Sequence, residues 1–287
     1  MSDLSRKTGT SKTMKVIIYV VCVILSVLSI MPFLIMFINA TRSTSEIEQH
    51  AISLFSKNPI GNIVKNWGVL TGKDFHPATG FLNSALVSIG TTGLAVYFSS
   101  LTAYALTAYE WKLRNAFFSF IMGVMMIPAQ VTMIGFYQMI YKVHMTNHLL
   151  VLILPAIASP MMVFFMRQYL QAALSMEIVQ SARIDGAGEF RIFNQIVLPL
   201  MKPAIATQAI FTFVSSWNNL FTPLVLLTDT EKYTLPIMIS LLRGDIYKTE
   251  YGSVYLGLSL TVLPLIVVYV ILSKYIVEGV SLGGVKS

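Results

Sequence analysis

The sequence has little charge: only 11% of its 287 residues are Asp, Glu, Lys or Arg, whereas 55% are hydrophobic. A soluble domain usually covers its surface with charged side chains that make up about a quarter of its residues. The composition therefore excludes an ordinary water-soluble fold and predicts an integral membrane protein.

Cysteine is almost absent, since Cys22 is the only one. This excludes an intrachain disulfide and a cysteine-based metal cluster. The four histidines fall in predicted outer loops, and only His144 and His148 have the i, i+4 spacing of a zinc site on a helix. No third ligand is near them in sequence, so we expect no metal and no cofactor. No nucleophile constellation is evident, so we also expect that the chain is not an enzyme.

A phosphate-binding loop is lacking as well. The nearest candidate, residues 68–74, has three residues between its glycines instead of four, and Asp74 replaces the Ser or Thr that would hold magnesium. We therefore expect no ATP binding or hydrolysis by this chain itself.

Six stretches contain no charged residue, and each is long enough for a helix of roughly 20 residues across a hydrocarbon core of about 30 Å. They predict an all-α membrane protein with six transmembrane helices. The stretches are residues 16–41, 75–109, 115–141, 143–166, 203–228 and 251–273.

The distribution of Lys and Arg predicts the orientation, because short basic loops tend to stay cytoplasmic. With the N-terminus inside, 12 of the 20 basic residues lie on the inner side, so both termini are expected to be cytoplasmic. We interpret the net charge of +7 as this bias rather than as nucleic-acid binding. The predicted divisions are an inner segment 1–15, a membrane domain 16–275 with an inner loop 167–202, and an inner tail 276–287.

The lack of charge inside the predicted spans also bears on what could drive transport by this chain. Carriers driven by a proton or sodium gradient commonly keep a carboxylate at membrane depth. A secondary transporter is therefore disfavoured, although sodium can also be held by carbonyls and hydroxyls. We expect the energy to enter from another subunit.

The inner loop carries the pattern of a helix-turn-helix. Leu174, Ile178 and Ala182 recur every fourth residue and predict an apolar strip on a short amphipathic helix. The segment 185–188, Asp-Gly-Ala-Gly, then predicts a turn in which glycine adopts the positive φ of a helix C-terminal cap. In the second helix, three apolar side chains are predicted to share a face: Phe190, Phe193 and Val197.

This loop resembles the EAA loop of ABC-importer permeases. The matching residues are Glu177, Ile178, Ala182, the turn Asp185-Gly186-Ala187, and Leu198-Pro199. Two features differ, because Ser175 replaces the usual Pro and Gln180-Ser181 replaces the usual Glu-Ala. Seven further stretches, taken in order, are similar to carbohydrate-importer permeases of the maltose-system MalG type. They are Asn83-Ser84, residues 103–106, 126–128, 165–168, 216–218, 233–236 and 279–286.

The resemblance implies a set of partners for the chain. They are a second permease subunit, two ATP-binding cassette subunits, an extracytoplasmic sugar-binding protein, a carbohydrate substrate and membrane lipid. In the family this loop seats a coupling helix in the ATPase subunit, and Gln180 here replaces a charged contact by a neutral, weaker one. The loop residues that the resemblance assigns to coupling are Glu177, Gln180, Ala182, Arg183, Asp185, Gly186 and Ala187.

A polar segment of the fifth span predicts where a sugar passes. Ser216, Trp217, Asn218 and Asn219 place hydroxyl, indole and amide groups near mid-membrane, where they suit sugar hydroxyls and the flat face of a pyranose. Bonding to neighbouring helices is an equal alternative. Gln130, beside Pro128, is a weaker pathway candidate.

The resulting hypothesis is a permease subunit of an ATP-driven, binding-protein-dependent sugar or oligosaccharide importer in a bacterial or archaeal inner membrane. The alternatives are a secondary sugar carrier or facilitator, an ABC permease for a solute other than sugar, and a structural membrane subunit that transports nothing.

Overall fold

The computed structural model describes residues 12–72, 75–242 and 249–283, with side chains described as far as residue 271. Within these ranges all regular structure is helical, and a 3₁₀ or π segment is named by its type. The elements are α1 Lys12–Ala40, α2 Thr44–Gln49, α3 Pro59–Gly72, α4 Pro77–Ala108, α5 Arg114–Met125, α6 Ala129–Lys142, α7 Leu150–Ile153, a 3₁₀ turn Leu154–Ile157, α8 Pro160–Ala173, α9 Met176–Ile184, α10 Glu189–Ile192, a π-helical turn Phe193–Val197, α11 Leu198–Leu200, α12 Lys202–Trp217, α13 Phe221–Leu226, a 3₁₀ turn Thr230–Lys232, α14 Leu235–Leu242 and α15 Tyr251–Gly283.

Four described helices are long and apolar enough to cross a membrane: Lys12–Ala40, Pro77–Ala108, Leu150–Ala173 and Tyr251–Ile271. Two strongly bent helix pairs raise the number to as many as six if each pair counts as one span. The prediction of an all-helical protein with several spanning helices is thus confirmed, and the count of six stays a prediction.

The first bent pair, α5 and α6, turns by 98° at Pro128. A proline has no N–H to continue the helical ladder and disfavours helical backbone at the residue before it. Here α5 ends at Met125, and Pro128 has extended backbone before α6 begins. A stretch that was predicted as one continuous span is therefore broken near its middle.

Helix α1 differs from the other long helices because the side chains of residues 12–34 are all exposed. An apolar helix without a buried face is stable only where lipid or another apolar surface surrounds it. This part of α1, including Cys22, therefore offers its whole circumference to the membrane or to a partner.

One compact unit comprises residues up to 73 together with 242–260. Its centre is the buried Arg42, whose guanidinium donates to Asn39 Oδ1 at 2.8 Å and to the carbonyls of Glu46 and His50. The Asn66 amide donates to the carbonyls of Ala40 and Arg42. Since a buried charge is costly unless hydrogen-bonded, these bonds fix how the chain leaves α1.

The second unit, residues 74–241 and those from 261 onward, is built around α4. Buried small residues along α4 let neighbouring helices approach its backbone closely, as is usual in membrane bundles. They include Ser88, Ala95, Ser99 and Ala103. Helices α8 and α12 pack along α4.

Two of the stretches that carried the family resemblance meet at one end of this unit. The Asn83 amide donates to the carbonyls of Glu231 and Tyr233 at 2.8 and 3.0 Å. The Leu235 N–H donates to Ser84 Oγ at 2.8 Å. The Asn83-Ser84 pair thus anchors the segment that leads into α14.

Candidate functional site: the 167–202 loop and a polar cavity

The first half of the loop is the nine-residue helix α9, which packs through Val179 and Ala182. Both belong to an apolar cluster with Met166, Leu170 and Phe193. The predicted strip of Leu174, Ile178 and Ala182 is therefore wrong at its centre, because Ile178 is exposed and Val179 is fully buried. One residue of a helix turns the side chain by 100°, so the buried face is rotated toward Val179.

The turn after α9 is a Schellman motif, in agreement with the predicted glycine cap. Gly186 has φ of +78°, its N–H donates to the Arg183 carbonyl at 3.0 Å, and the Ala187 N–H donates to the Ala182 carbonyl at 2.9 Å. These two bonds satisfy carbonyls that the helix end would leave unpaired. Ala187 also packs against the cluster that contains Ala182.

The second half of the loop lies against α4 through aromatic rings. Phe193 is buried and its ring centre lies 5.7 Å from that of Tyr97 and 5.8 Å from that of Tyr104. The predicted face is correct for Phe193 and Val197, but Phe190 is exposed, and the fully buried Ile192 joins the face. A π-helical turn over Phe193–Val197 widens the helix just before Pro199, and such turns are frequent at functional sites.

A residue that sequence reasoning missed, Glu189, joins the two halves of the loop. Its carboxylate accepts hydrogen bonds from Arg183 Nε at 2.6 Å, from the Tyr104 hydroxyl at 3.1 Å and from the Tyr109 hydroxyl. The Arg183 guanidinium also lies over the Tyr109 ring, 5.3 Å from its centre. We call this group of four side chains the Glu189 clasp.

The hydrogen bond from Arg183 lowers the pKa of the Glu189 carboxyl below its usual range, and the bonds from the two tyrosines act in the same direction. Glu189 is therefore ionised at neutral pH. No sequence motif marked it, because its partners on α4 are about 80 residues earlier in the chain.

The other predicted coupling residues have different surroundings. Glu177, Gln180 and Asp185 are exposed, and their side chains have no hydrogen-bond partner among the described residues. Arg183, by contrast, forms an ion pair with Glu189 of the same chain. The surface that the loop offers to a partner therefore consists of these polar side chains and of exposed apolar ones, chiefly Ile178, Ile184 and Phe190.

A second feature is a cavity of about 860 Å³ bounded by α4, α7, α8, α12 and α13. Polar side chains of α12 form one wall of it. They are Thr207, Gln208, Thr212, Ser215 and Ser216. Within the described residues, Gln208, Ser215 and Ser216 have no side-chain hydrogen-bond partner, so their polar groups are available to a molecule in the cavity.

The predicted pathway residues separate into two groups. Ser216 and Asn219 line the cavity, whereas Asn218 and Gln130 are exposed away from it. Trp217 is only 1% exposed and faces the protein interior, where its ring stacks on Phe213 and its Nε1 donates to the Thr261 carbonyl at 3.0 Å. The indole therefore does not line the cavity and is bonded to a neighbouring helix, α15, which is the alternative that the sequence left open.

The helix is interrupted where these residues lie. α12 ends at Trp217 and α13 begins at Phe221, and Asn219 Oδ1 accepts the Thr222 N–H at 3.2 Å between them. Gln208 and Thr212 also line the cavity and were missed, although they stand at a helical spacing from the predicted segment. Gln208, Thr212, Ser215 and Asn219 follow i, i+4, i+7 and i+11, a polar stripe that the sequence already contained.

A metal centre is not found in the part of the chain that the structure describes, where no three His, Cys, Asp or Glu side chains group together. His144 and His148 lie beside a loop that Asn147 organises, since its side chain accepts the N–H groups of Thr228 and Asp229. The spacing of the two histidines thus belongs to a turn.

The apolar helices long enough to span a membrane, the folded 167–202 loop and the cavity with its polar wall on α12 indicate the class of the protein, a membrane transport subunit. The comparisons identify the family. Residues 95–282 match the family described as binding-protein-dependent transport system inner membrane component, and the chain belongs to it. Members are permease components of importers that work with other subunits, and they are not enzymes.

Curated relatives are similar over nearly the whole chain. The arabinooligosaccharides transport system permease protein AraQ of Halalkalibacterium halodurans is 35% identical over 89% of this chain and 90% of its own length. The lactose transport system permease protein LacG of Rhizobium radiobacter is 30% identical over 94% and 96%. The fold matches a solved chain, at 23% identity, of a bacterial ABC transporter involved in the import of the acidic polysaccharide alginate, with a TM-score of 0.78 over 93% of this chain and 98% of that one.

Proposed function

We propose that this chain is one of two permease subunits of an ATP-driven importer of sugars or oligosaccharides. Family membership implies the importer, and the relatives named for arabinooligosaccharides and lactose support the substrate class. The proposed assembly contains a second, different permease, two ATP-binding cassette subunits and an extracytoplasmic sugar-binding protein. The proposed location is a bacterial or archaeal inner membrane.

The proposed topology has six spans and two cytoplasmic termini. In it, α5 and α6 together form one broken span, and α12 continues through α13, because the 16 residues of α12 alone rise only about 24 Å. The excess of basic residues on the inner side supports this orientation. The tail 276–287 lies beyond the described side chains, and the segment 1–15 is described only from residue 12.

The observation that carries the proposal is the surface of the inner loop. Ile184 and Phe190, on either side of the Schellman turn, are 86% and 72% exposed, although the same loop buries Val179 and Phe193 completely. A folded element that keeps large apolar side chains outside offers a docking surface. An ATP-binding subunit seated there supplies the energy that this chain cannot provide, and the cavity beside α12 supplies groups that suit sugar hydroxyls.

Reconstitution tests the proposal. The complex purified with its ATPase subunits should hydrolyse ATP faster when a sugar-loaded binding protein is added, and proteoliposomes should take up arabinotriose only with internal ATP. Uptake of arabinotriose by this chain alone, without ATP, would replace the importer by a facilitator. ATP-driven uptake of a solute other than sugar would retain the importer and reject the substrate class.

A further inference from the structure

The Glu189 carboxylate accepts hydrogen bonds both from the 167–202 loop and from the end of α4. Arg183 belongs to α9, the helix before the turn, Tyr104 lies near the end of α4, and Tyr109 is the residue directly after α4. Glu189 itself begins α10, after the turn. One side chain therefore connects three elements, whose other contacts among the described residues are mainly apolar packing.

We infer that Glu189 is a positioning residue for coupling, which makes the inner loop and the end of α4 move as one body when an ATPase subunit displaces the loop. This inference rests on the proposed function, since it assumes that the loop receives a displacement. It assigns to Arg183 an internal role in place of a contact with the partner.

The loop is held to α4 at the clasp by hydrogen bonds of defined geometry and not only by non-directional apolar contact. Charge-assisted hydrogen bonds are shorter and roughly twice as strong as neutral ones, and the Arg183–Glu189 bond at 2.6 Å is of this kind. An exposed ion pair alone contributes little. Here the same carboxylate is also tied to the hydroxyl of Tyr104, which is 2% exposed and stands on α4 beside Phe193.

Helix α4 connects the clasp to the cavity. It continues without a break from Pro77 to Ala108, and its residues Val87 and Thr91 line the cavity. Tyr104 and Thr91 are separated by about 20 Å along the helix at 1.5 Å per residue. Rigid secondary elements with close-packed neighbours carry displacements over such distances. A displacement of α9 that the clasp passes to α4 thus changes the cavity wall.

Removal of the carboxylate should leave the fold intact, because Val179, Ile192 and Phe193 still anchor both halves of the loop. The first test uses the complete complex in proteoliposomes, with arabinotriose as the probe. Glu189→Ala should lower uptake per ATP hydrolysed by about tenfold, ~1.4 kcal/mol. Glu189→Gln, which keeps an acceptor but no charge, should fall between Glu189→Ala and the unsubstituted chain.

Glu110→Gln is the matched control, because Glu110 is exposed next to Tyr109 and its side chain has no hydrogen-bond partner among the described residues. It should leave uptake per ATP unchanged. The inference is overturned if Glu189→Ala keeps the ratio of the unsubstituted complex, or if Glu110→Gln lowers the ratio as much.

A second readout measures movement directly and does not depend on transport. In a Cys22→Ala background, spin labels at Ile184→Cys and Thr107→Cys report the distance between α9 and the last turn of α4. The clasp predicts the same narrow distance distribution without nucleotide and with ATP, and a broader, nucleotide-dependent one in Glu189→Ala. An unchanged distribution in Glu189→Ala overturns the inference. Absence of ATP-driven uptake by the unsubstituted complex would instead contradict the proposed function, and the label distance would still test the clasp.

Discussion

The 167–202 loop and the α12 wall of the cavity are both polar regions in an apolar chain, but their polar groups have different surroundings. In the loop, carbonyls freed by the helix end are bonded at the Schellman turn, and Glu189 is bonded to three side chains. In the cavity, Gln208, Ser215 and Ser216 have no side-chain partner among the described residues. Polar groups bonded to one another build a rigid element, whereas polar groups left facing a cavity are available to a ligand.

The largest effect is expected at Trp217, for which the sequence left a sugar-pathway role and bonding to a neighbouring helix as equal alternatives. Trp217→Ala should destabilise the chain by about 3–5 kcal/mol, since it deletes a buried ring that stacks on Phe213 and bonds to the Thr261 carbonyl. Thermal unfolding of the detergent-solubilised complex measures the loss. Asn218→Ala, at an exposed neighbouring position, is the control and should change little. Normal stability of Trp217→Ala with weaker sugar uptake would return the indole to the pathway.

Gly186 tests whether the turn geometry makes the loop rigid. Gly186→Val should cost about 1–2 kcal/mol or more, because a β-branched residue fits a φ of +78° poorly, and it should uncouple ATP hydrolysis from uptake. Gly188→Val is the matched control. Neither glycine has an atom within 4 Å of an added Cβ, but Gly188 has an ordinary φ of −68°. Equal loss in both variants would show that the positive φ is irrelevant.

Gln208 tests whether the unbonded polar groups of the cavity wall bind sugar. Gln208→Ala removes a polar group that faces the cavity, so the KM for arabinotriose should rise about fivefold, in keeping with roughly 1 kcal/mol for a hydrogen bond. The rate at saturating sugar should change less than the KM. An unchanged KM would mean that the α12 wall does not contact the sugar.

The smallest effect is expected at Asp229, in a loop where polar groups also bond one another. Hydrogen bonds from Asn147 and then from Lys232 hold the pKa of the Asp229 carboxyl below its usual range. A lowered folded-state pKa gives stability that is present above the ordinary carboxyl pKa of about 4 and is lost as pH falls below it. Unfolding temperatures measured from pH 6 to pH 3 should therefore differ slightly between Asp229→Asn and the unsubstituted chain at pH 6, and converge at pH 3.

The sequence predicted the structure of the 167–202 loop and of the cavity to different extents. The turn at Gly186 was predictable because a glycine cap is a local rule, and the apolar runs predicted the spanning helices by length and composition. Val179 was missed because the spacing of apolar residues in a short helix is compatible with more than one buried face. A shift of one residue in the assigned pattern changes which side chains are predicted to be buried. Glu189 was missed because its partners on α4 are distant in sequence.

The polar wall of the cavity was predicted only in part. The sequence pointed to the cluster around Trp217, where polar residues are adjacent, but the residues that share one face of a helix are spaced three and four apart. Ser216 and Asn219, which were predicted, line the cavity together with Gln208, Thr212 and Ser215, and their contact with a sugar stays a prediction. The break at Pro128 was weakly signalled, because prolines within spanning helices also occur without a sharp bend, as Pro32 and Pro264 do here.

The most direct test of the account is whether the exposed face of the loop contacts an ATPase subunit. In a Cys22→Ala background, a cysteine-directed crosslinker should join Ile184→Cys to the ATP-binding subunit, with a yield that changes on ATP binding. Leu82→Cys, also exposed but near the end of α4 that is distant from the loop, should give no such product. The account is contradicted if Ile184→Cys forms no crosslink to the ATPase while Leu82→Cys does.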